Sequence, residues 1–296
     1  MKKYLYSFVI ATLILMSTTV VKASNEVYYT NKNNIDMTET EYNNLLGLGF
    51  TERQIDRMDE NEFLANKNIE GTVLSEAAKY YKTTTVIRNG IKIDTVKEVT
   101  KEEALDEKQS HNNPVRGPVG SYYDGISATS IIEIRSKIIG VSNTYMRYKV
   151  DSEWLVMPYY RYYDIIGVGL EPLKVEIGST IVFKENWLTD DDELGFDMTG
   201  YPKSESTGGS TQIQLPSGGM EYIDAYLYYN VKKKANVGTI TELTACGDYA
   251  HSSYNYDPNT IYDHYNMYIT GIDIDYPYDI YYDEISPACA SFIGTW

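Results

Sequence analysis

The sequence is poor in the residues that catalytic and metal-binding motifs need. Its 296 residues include 3 histidines and 2 cysteines. Neither the H-E-x-x-H motif of zinc hydrolases nor the G-x-S-x-G motif of serine hydrolases occurs. No C-x-x-C pair accompanies the cysteines, so a zinc site is not indicated. These absences argue against zinc-dependent and serine-dependent hydrolysis.

Long apolar runs are equally scarce, and the one at the start of the chain is short. Phe8–Met16 falls short of the ~20 residues that a membrane span requires. Lys2 and Lys3 precede it, and Val21-Lys22-Ala23 follows it, which is typical of a secretory signal peptide. We expect residues 1–23 to be removed by cleavage between Ala23 and Ser24. We therefore predict a secreted, extracellular protein that does not insert stably into a membrane.

Positive charge is also in deficit. The chain has 26 Lys and Arg residues against 42 Asp and Glu residues, for a net charge of −16. General electrostatics therefore exclude nucleic acid as a partner and would attract a cation or a basic partner. The preferred interpretation of the charge is that it keeps the copies of a soluble secreted protein apart. Export favours a disulfide, and the only pair available is Cys246 with Cys289.

Phenylalanine and tryptophan are few, whereas tyrosine is abundant. There are 6 Phe, 3 Trp and 30 Tyr. Tyrosine suits sheets, where one side of the ring packs and the hydroxyl reaches water, and it is also enriched at binding surfaces. Sheet content is the preferred explanation for most of it.

The pattern of the chain predicts a mainly β protein, an antiparallel β-sandwich preceded by a small α+β N-terminal unit. We divide it into the signal peptide, an N-terminal region at 24–105, a polar linker at 106–124 rich in glycine and proline, and the sandwich at 125–296.

Within the N-terminal region, capping boxes predict short helices, and one dipeptide predicts a hairpin. The boxes pair Thr38 with Glu41 and Thr51 with Gln54. Asn89-Gly90 between β-branched runs indicates a two-residue turn.

Three stretches, "YMRYKVDSEWLVMPYYRYYDIIGVGL", "CGDYAH" and "ASFIGTW", resemble a group of secreted proteins of low-GC Gram-positive bacteria, as does the helical "MTETEYNNLLGLGFTERQIDRM". The resemblance implies a helical N-terminal segment followed by a β-rich domain. The group has no assigned activity, so no functional residue is implied.

The stretch Gly271–Glu284 combines acids with tyrosines. Ile272 and Ile274 alternate with Asp273 and Asp275, which is typical of a half-buried strand with its acids in water. The alternative is a calcium ion held by Asp273, Asp275 and Asp279, although the D-x-D-x-D-G spacing is absent. A second acidic run at 189–197 is interpreted as a solvated loop.

"PYYRYYD" at 158–164 offers the best aromatic candidate for ligand binding. Tyr160 and Tyr162 would share one face of a strand, and Tyr159 and Tyr163 the other, so one pair is expected to be exposed. Packing at the edge of the core is the competing interpretation.

In "GDYAHSS", a strand would place Asp248 and His251 on opposite faces, which disfavours an Asp–His pair between them.

The leading functional hypothesis is a secreted, non-enzymatic binding or interaction module for an extracellular glycan or protein. The alternative is a glycosidase-like hydrolase that uses paired carboxylates such as Asp273, Asp275 or Glu284. The sequence does not indicate an oligomeric state.

Overall fold

The computed structural model describes residues 26–88, 91–110, 127–158, 161, 163–189, 193–198, 202–216, 218–253, 264–266, 273–275, 281–283 and 285–296. The predicted signal peptide and its cleavage site at Ala23 and Ser24 lie outside these residues. Among the described residues, no helix combines the length and apolarity needed to cross a bilayer.

Strands dominate the structure. In chain order they are β1 (Tyr29–Thr30), β2 (Asp36–Met37), β3 (Thr72–Arg88), β4 (Ile91–Val99), β5 (Ser127–Gly140), β6 (Tyr145–Val156), β7 (Tyr163–Gly169), β8 (Val175–Ile177), β9 (Val182–Thr189), β10 (Leu194–Asp197), β11 (Lys203–Glu205), β12 (Gly208–Gln214), β13 (Met220–Lys233), β14 (Glu242–Ser253), β15 (His264–Asn266), β16 (Asp273–Asp275), β17 (Tyr281–Asp283) and β18 (Ala288–Ile293). The helices are α1 (Glu39–Gly47), α2 (Glu52–Asp56), α3 (Glu60–Asn66) and α4 (Lys101–Ser110).

Two antiparallel sheets form a β-sandwich, which confirms the predicted fold class. The larger sheet has the order β10-β9-β13-β6-β5-β3-β4, and β8 also pairs with β13. The smaller sheet has the order β11-β12-β7-β14-β17, and β18 also pairs with β14. Two small two-stranded pairs, β1-β2 and β15-β16, lie outside these sheets.

The main core fills the space between the sheets. On β6, Tyr148, Val150 and Trp154 alternate inward and are buried with Ile166 and Val168 of β7. This alternation is the period of two that a sheet imposes on its side chains. The hydrophobic driving force for the fold is therefore concentrated between the two layers.

The first two helices begin where their capping boxes predict. Thr38 and Glu41 form a complete capping box, as do Thr51 and Gln54. α1 ends at Gly47, and Gly49 follows with φ +79°, a conformation that glycine adopts without steric cost. The prediction of short capped helices in this region is confirmed.

These helices cover the outer face of the larger sheet. Leu45, Leu48 and Ile55 pack in a second core that includes Tyr226 and Tyr228 of β13. An antiparallel sheet often leaves one face in water. Here the region covered by the helices is dry, and the sheet is buried on both sides.

The hairpin β3-β4 pairs Arg88 with Ile91, as expected of a two-residue turn at 89–90. β3 also pairs with β5, so the hairpin belongs to the larger sheet. The sequence-based division had placed these strands in a separate N-terminal region.

Residues 101–110 form α4, which overlaps the start of the predicted linker. Its start is set by Thr100, whose hydroxyl accepts from the Glu103 amide while the Glu103 carboxylate accepts from the Thr100 amide. Ala104, which belongs to this helix, is fully buried. This capping box was overlooked in the sequence because the polar composition around it indicated a linker. Residues 111–124 lie outside the described residues.

Cys246 and Cys289 form a disulfide, as predicted. They are direct neighbours in the register of β14 and β18. The disulfide therefore ties the last strand of the chain to the centre of the smaller sheet.

Candidate functional site

A buried polar cluster lies where β7 begins and β14 ends. The Nδ1 atom of His251 is 3.0 Å from Asp164 Oδ1. The Tyr249 hydroxyl donates to Asp164 Oδ2 at 2.5 Å, and Trp154 Nε1 donates to the same hydroxyl at 3.2 Å. All four side chains are buried. The cluster thus connects both sheets through polar contacts inside the core.

The strand geometry separates Asp248 from His251 as the sequence predicted. The Asp248 carboxylate accepts from the Tyr249 amide at 2.9 Å, whereas the histidine pairs with Asp164 across the ladder. The aspartate that partners His251 is 87 residues away in sequence. Local spacing could not have identified it.

Glu185 projects from β9 into the same core. Its side chain is 0% exposed, and neither carboxylate oxygen has a hydrogen-bond partner among the described residues. Burial raises the pKa of this carboxyl well above its usual value, and the nearby charge of Asp164 raises it further. The protonated form is therefore favoured inside the sandwich. Enclosed in this way, the cluster supports the fold from inside the sandwich.

The tyrosine and acid candidates lie mostly beyond the described side chains. Tyr163 begins β7 and pairs with Gln214, and its side chain is not described. Asp273 and Asp275 form part of β16, opposite Asn266 and His264. The candidates outside the described residues are Tyr159, Tyr160, Tyr162, Asp279 and Glu284. Their roles stay predictions.

The sheet register brings together two stretches discussed above, the acidic stretch 271–284 and "GDYAHSS". β17 pairs with the end of β14, with Asp283 opposite His251, and β7 flanks β14 on its other side. Within the described part of the chain, no three His, Cys, Asp or Glu side chains converge in a way that could hold a metal ion. The calcium hypothesis for the acidic stretch stays a prediction.

A second polar network joins the helices to the outer face of the larger sheet. Lys149 Nζ donates to Gln54 Oε1 at 3.0 Å and contacts Asp151, which also forms an ion pair with Lys137 at 3.0 Å. Burial lowers the pKa of Lys149 to about 7, against the opposing effect of Asp151. Alternation along β6 places Lys149 and Asp151 on one face of the sheet. The helices exclude water from it, so its charges are paired with one another.

Two surface grooves are lined in part by strands of the larger sheet. The larger, about 740 Å³, lies between α4 and the β3-β4 hairpin. Several of its charged side chains compensate one another, as Lys82 and Glu107 do at 2.6 Å. It therefore offers neither a single sign of charge nor an exposed aromatic ring.

The smaller groove, about 560 Å³, has an apolar floor and an acidic rim. We call it the acidic groove, and it is lined by Asn33, Asn34, Ile35, Asp36, Asp59, Glu60, Phe63, Leu64 and Phe196. Leu64 and Phe196 are 54% and 52% exposed. Large apolar side chains this exposed and adjacent in one concave site are typical of contact surfaces.

Helix capping and a tight turn fix the rim. Asp59 caps α3 by accepting from the Glu62 amide at 3.1 Å. Asn34, in the β1-β2 turn, has φ +59°, and the Asn31 side chain accepts the amides of Asn33 and Ile35, each at 3.0 Å. The side of the groove formed by these residues is therefore held in place by hydrogen bonds within the chain.

The nearby lysine pairs with only part of the acidic rim, so some of the rim's negative charge is not compensated. Lys184 Nζ binds Asp59 at 3.0 Å and lies 5.1 Å from the centre of the Phe196 ring. Burial acts to raise the pKa of Asp59, but the Glu62 amide and Lys184 hold it below its usual value. Asp36 and Glu60 are exposed and have no ion pair among the described residues. The groove thus combines an apolar anchor point with free negative charge.

Sequence reasoning missed this groove. Phe196 lies in the acidic run that was interpreted as a solvated loop, yet residues 194–197 form β10. The available signal was the alternation of Leu194, Phe196 and Met198, which places large apolar side chains on one face of a strand. The proximity of α3 could not be read from sequence.

Comparisons with known proteins give little. No family model and no curated protein matches the sequence. Among solved structures, the chain is similar to the collagen-binding domain from a Staphylococcus aureus adhesin, over 51% of this chain and 89% of that one, with 8% sequence identity and a TM-score of 0.27. A similarity this low carries no argument about function.

Proposed function

We propose that this protein is a secreted, non-enzymatic interaction module that binds a basic polypeptide through the acidic groove. The observation that supports this most directly is the pair of exposed side chains, Leu64 and Phe196, beside the carboxylates of Asp36 and Glu60. An apolar anchor surrounded by charge of one sign suits an apolar side chain flanked by Lys or Arg.

The charge of the whole chain supports the same kind of partner. A net charge of −16 attracts cationic surfaces and repels anionic ones, which increases the rate of encounter with a basic partner. A glycan, which was an equal candidate from the sequence, is less favoured at this groove. Its one exposed ring, Phe196, lies beside an aliphatic leucine and carries no hydroxyl group.

The proposal is tested by selecting phage-displayed random peptides against the protein and against the double variant Leu64→Ser/Phe196→Ala. We expect enriched peptides with Lys or Arg beside a large apolar residue, and at least about tenfold weaker binding to the variant, which corresponds to about 1.4 kcal/mol. Higher salt should weaken the binding, because the rim charges are exposed.

The matched control is Leu173→Ser, which removes an exposed leucine outside the groove. Peptides that bind the double variant and the control equally well would contradict the proposal. A glycan array run with the same proteins separates the two ligand classes. Glycan binding that is lost in the double variant would show that the ligand of the acidic groove is a sugar and not a polypeptide.

A further inference from the structure

β10 is the terminal strand of the larger sheet. Its partner is β9, with Gly195 opposite Trp187 and Phe196 opposite Asn186. Among the described residues no strand pairs with its other side. An edge strand of this kind presents backbone donors and acceptors that an additional strand can use.

The hydrogen bonds at the start of β10 show which amides point outward. The Thr189 amide donates to the Glu193 carbonyl at 3.0 Å, so Glu193 faces β9. Backbone groups alternate sides along a strand. Gly195 and Asp197 therefore also face β9, whereas the N–H and C=O groups of Leu194 and Phe196 point to the free edge.

The same two residues present their side chains to solvent on the outer face. Leu194 is 44% exposed, and Phe196 also lines the acidic groove. Natural edge strands are usually protected by lysine, proline or a bulge. From Trp187 to Pro202 the sequence contains five acidic residues and no Lys or Arg. The acids disfavour pairing with a second copy of this chain, since like charges would face each other.

We propose that the partner binds as an extended strand added to the free edge of β10, with alternating cationic and apolar side chains. This inference rests on the proposed function and specifies how the partner is held. Backbone hydrogen bonds to Leu194 and Phe196 would fix the segment, and its apolar side chains would pack on Phe196 and Leu64. Its cations would point to the opposite face of the added strand, beside the side chains of Glu193 and Asp197. Strand addition of this kind takes affinity from the main chain and specificity from alternate side chains.

The test uses a synthetic alternating Lys–Val peptide, capped at both ends, and the full protein at low salt. Binding is measured by calorimetry for the wild type, Leu194→Ser and Leu194→Pro. Both variants remove the leucine side chain, but only proline also removes an outward amide. Because that amide does not bond to β9, proline is compatible with the existing ladder.

We expect Leu194→Pro to bind at least about tenfold more weakly than Leu194→Ser, a loss of about 1.4 kcal/mol. Hydrogen exchange of the Phe196 amide should slow on binding. Exchange of the Gly195 amide should stay unchanged, because it is already bonded to β9. Circular dichroism and denaturation of each variant verify that the fold is retained.

Equal binding by Leu194→Pro and Leu194→Ser would overturn strand addition. If Phe196→Ala still weakened binding in that case, the proposed groove function would stand without it. No binding of the Lys–Val peptide to the wild type would also overturn the inference, as would equal binding of the corresponding Glu–Val peptide. Formation of dimers at low salt would instead assign the edge to a second copy of the chain.

Discussion

The Tyr226 hydroxyl of β13 donates to the Glu62 carboxylate of α3, at 2.8 Å to one oxygen and 2.7 Å to the other. Both side chains are buried, and Lys184 adds an ion pair to Glu62 at 3.3 Å. Burial raises the pKa of Glu62 even though Lys184 opposes it. The helical layer is therefore attached to the sheet by a polar contact that is sheltered from water.

Removing the hydroxyl with Tyr226→Phe should destabilise the protein. The Glu62 carboxylate would stay buried with one partner fewer, which costs about 1–3 kcal/mol. Urea denaturation measures the loss. Tyr28→Phe, at an exposed tyrosine, is the control and should change stability by less than about 0.5 kcal/mol. Equal stability of the two variants would show that the contact adds nothing.

Gly195 should tolerate no side chain. A Cβ atom there would lie 2.2 Å from Trp187 Nε1, so Gly195→Ala forces the indole or the strand to move. We expect a cost of about 1–3 kcal/mol and a shift in tryptophan fluorescence. Gly238→Ala is the matched control, because a Cβ atom at that position meets nothing within 4 Å. An unchanged melting temperature for Gly195→Ala would contradict the packing of β10 on Trp187.

Stability should fall as the pH rises through the range set by Asp248. Burial raises the pKa of this carboxyl from 3.8 to about 7. The folded state therefore holds its proton more tightly than the unfolded state. The stabilising contribution is complete below about pH 4 and is lost by about pH 7, and it amounts to at most about 4 kcal/mol.

Asp248→Asn should remove this dependence, because asparagine does not titrate and keeps an oxygen for the Tyr249 amide. Denaturation of both proteins at pH 4.5 and pH 7.5 measures the difference. A drop in stability between these pH values that is as steep in the variant as in the wild type would assign the effect to other groups.

Breaking the disulfide should destabilise the smaller sheet. The cysteines are 43 residues apart, and a loop of that length corresponds to about 4 kcal/mol in the chain-entropy model. The variant Cys246→Ala/Cys289→Ala should unfold at correspondingly lower denaturant concentration. Reductant should shift the wild type in the same direction and leave the variant unchanged. Two free thiols in the untreated protein would contradict the predicted bond.

Features that depend on local contacts could be predicted. The capping boxes at Thr38 and Thr51 gave the starts of α1 and α2, because a cap and its partner lie three residues apart. Alternating apolar residues indicated the strands of the sandwich. The missed helix, α4, follows a box of the same kind at Thr100, so the error there was to give polar composition more weight than capping.

The candidate site could not be predicted, because its parts are distant in sequence. Phe196 and Leu64 line one groove only because α3 packs beside β9 and β10. Likewise, Asp164 finds His251 through the pairing of β7 with β14.

The sequence by itself determined the mainly β architecture, the capped helices and the identity of the disulfide, since periodicity, capping and a single cysteine pair are properties of the linear chain. Only the tertiary structure decided which polar residues are excluded from solvent. A strand's alternation separates its two faces but does not reveal what covers either one. Here three helices seal Lys149 and Asp151 from water, while the edge of the same sheet leaves Phe196 exposed.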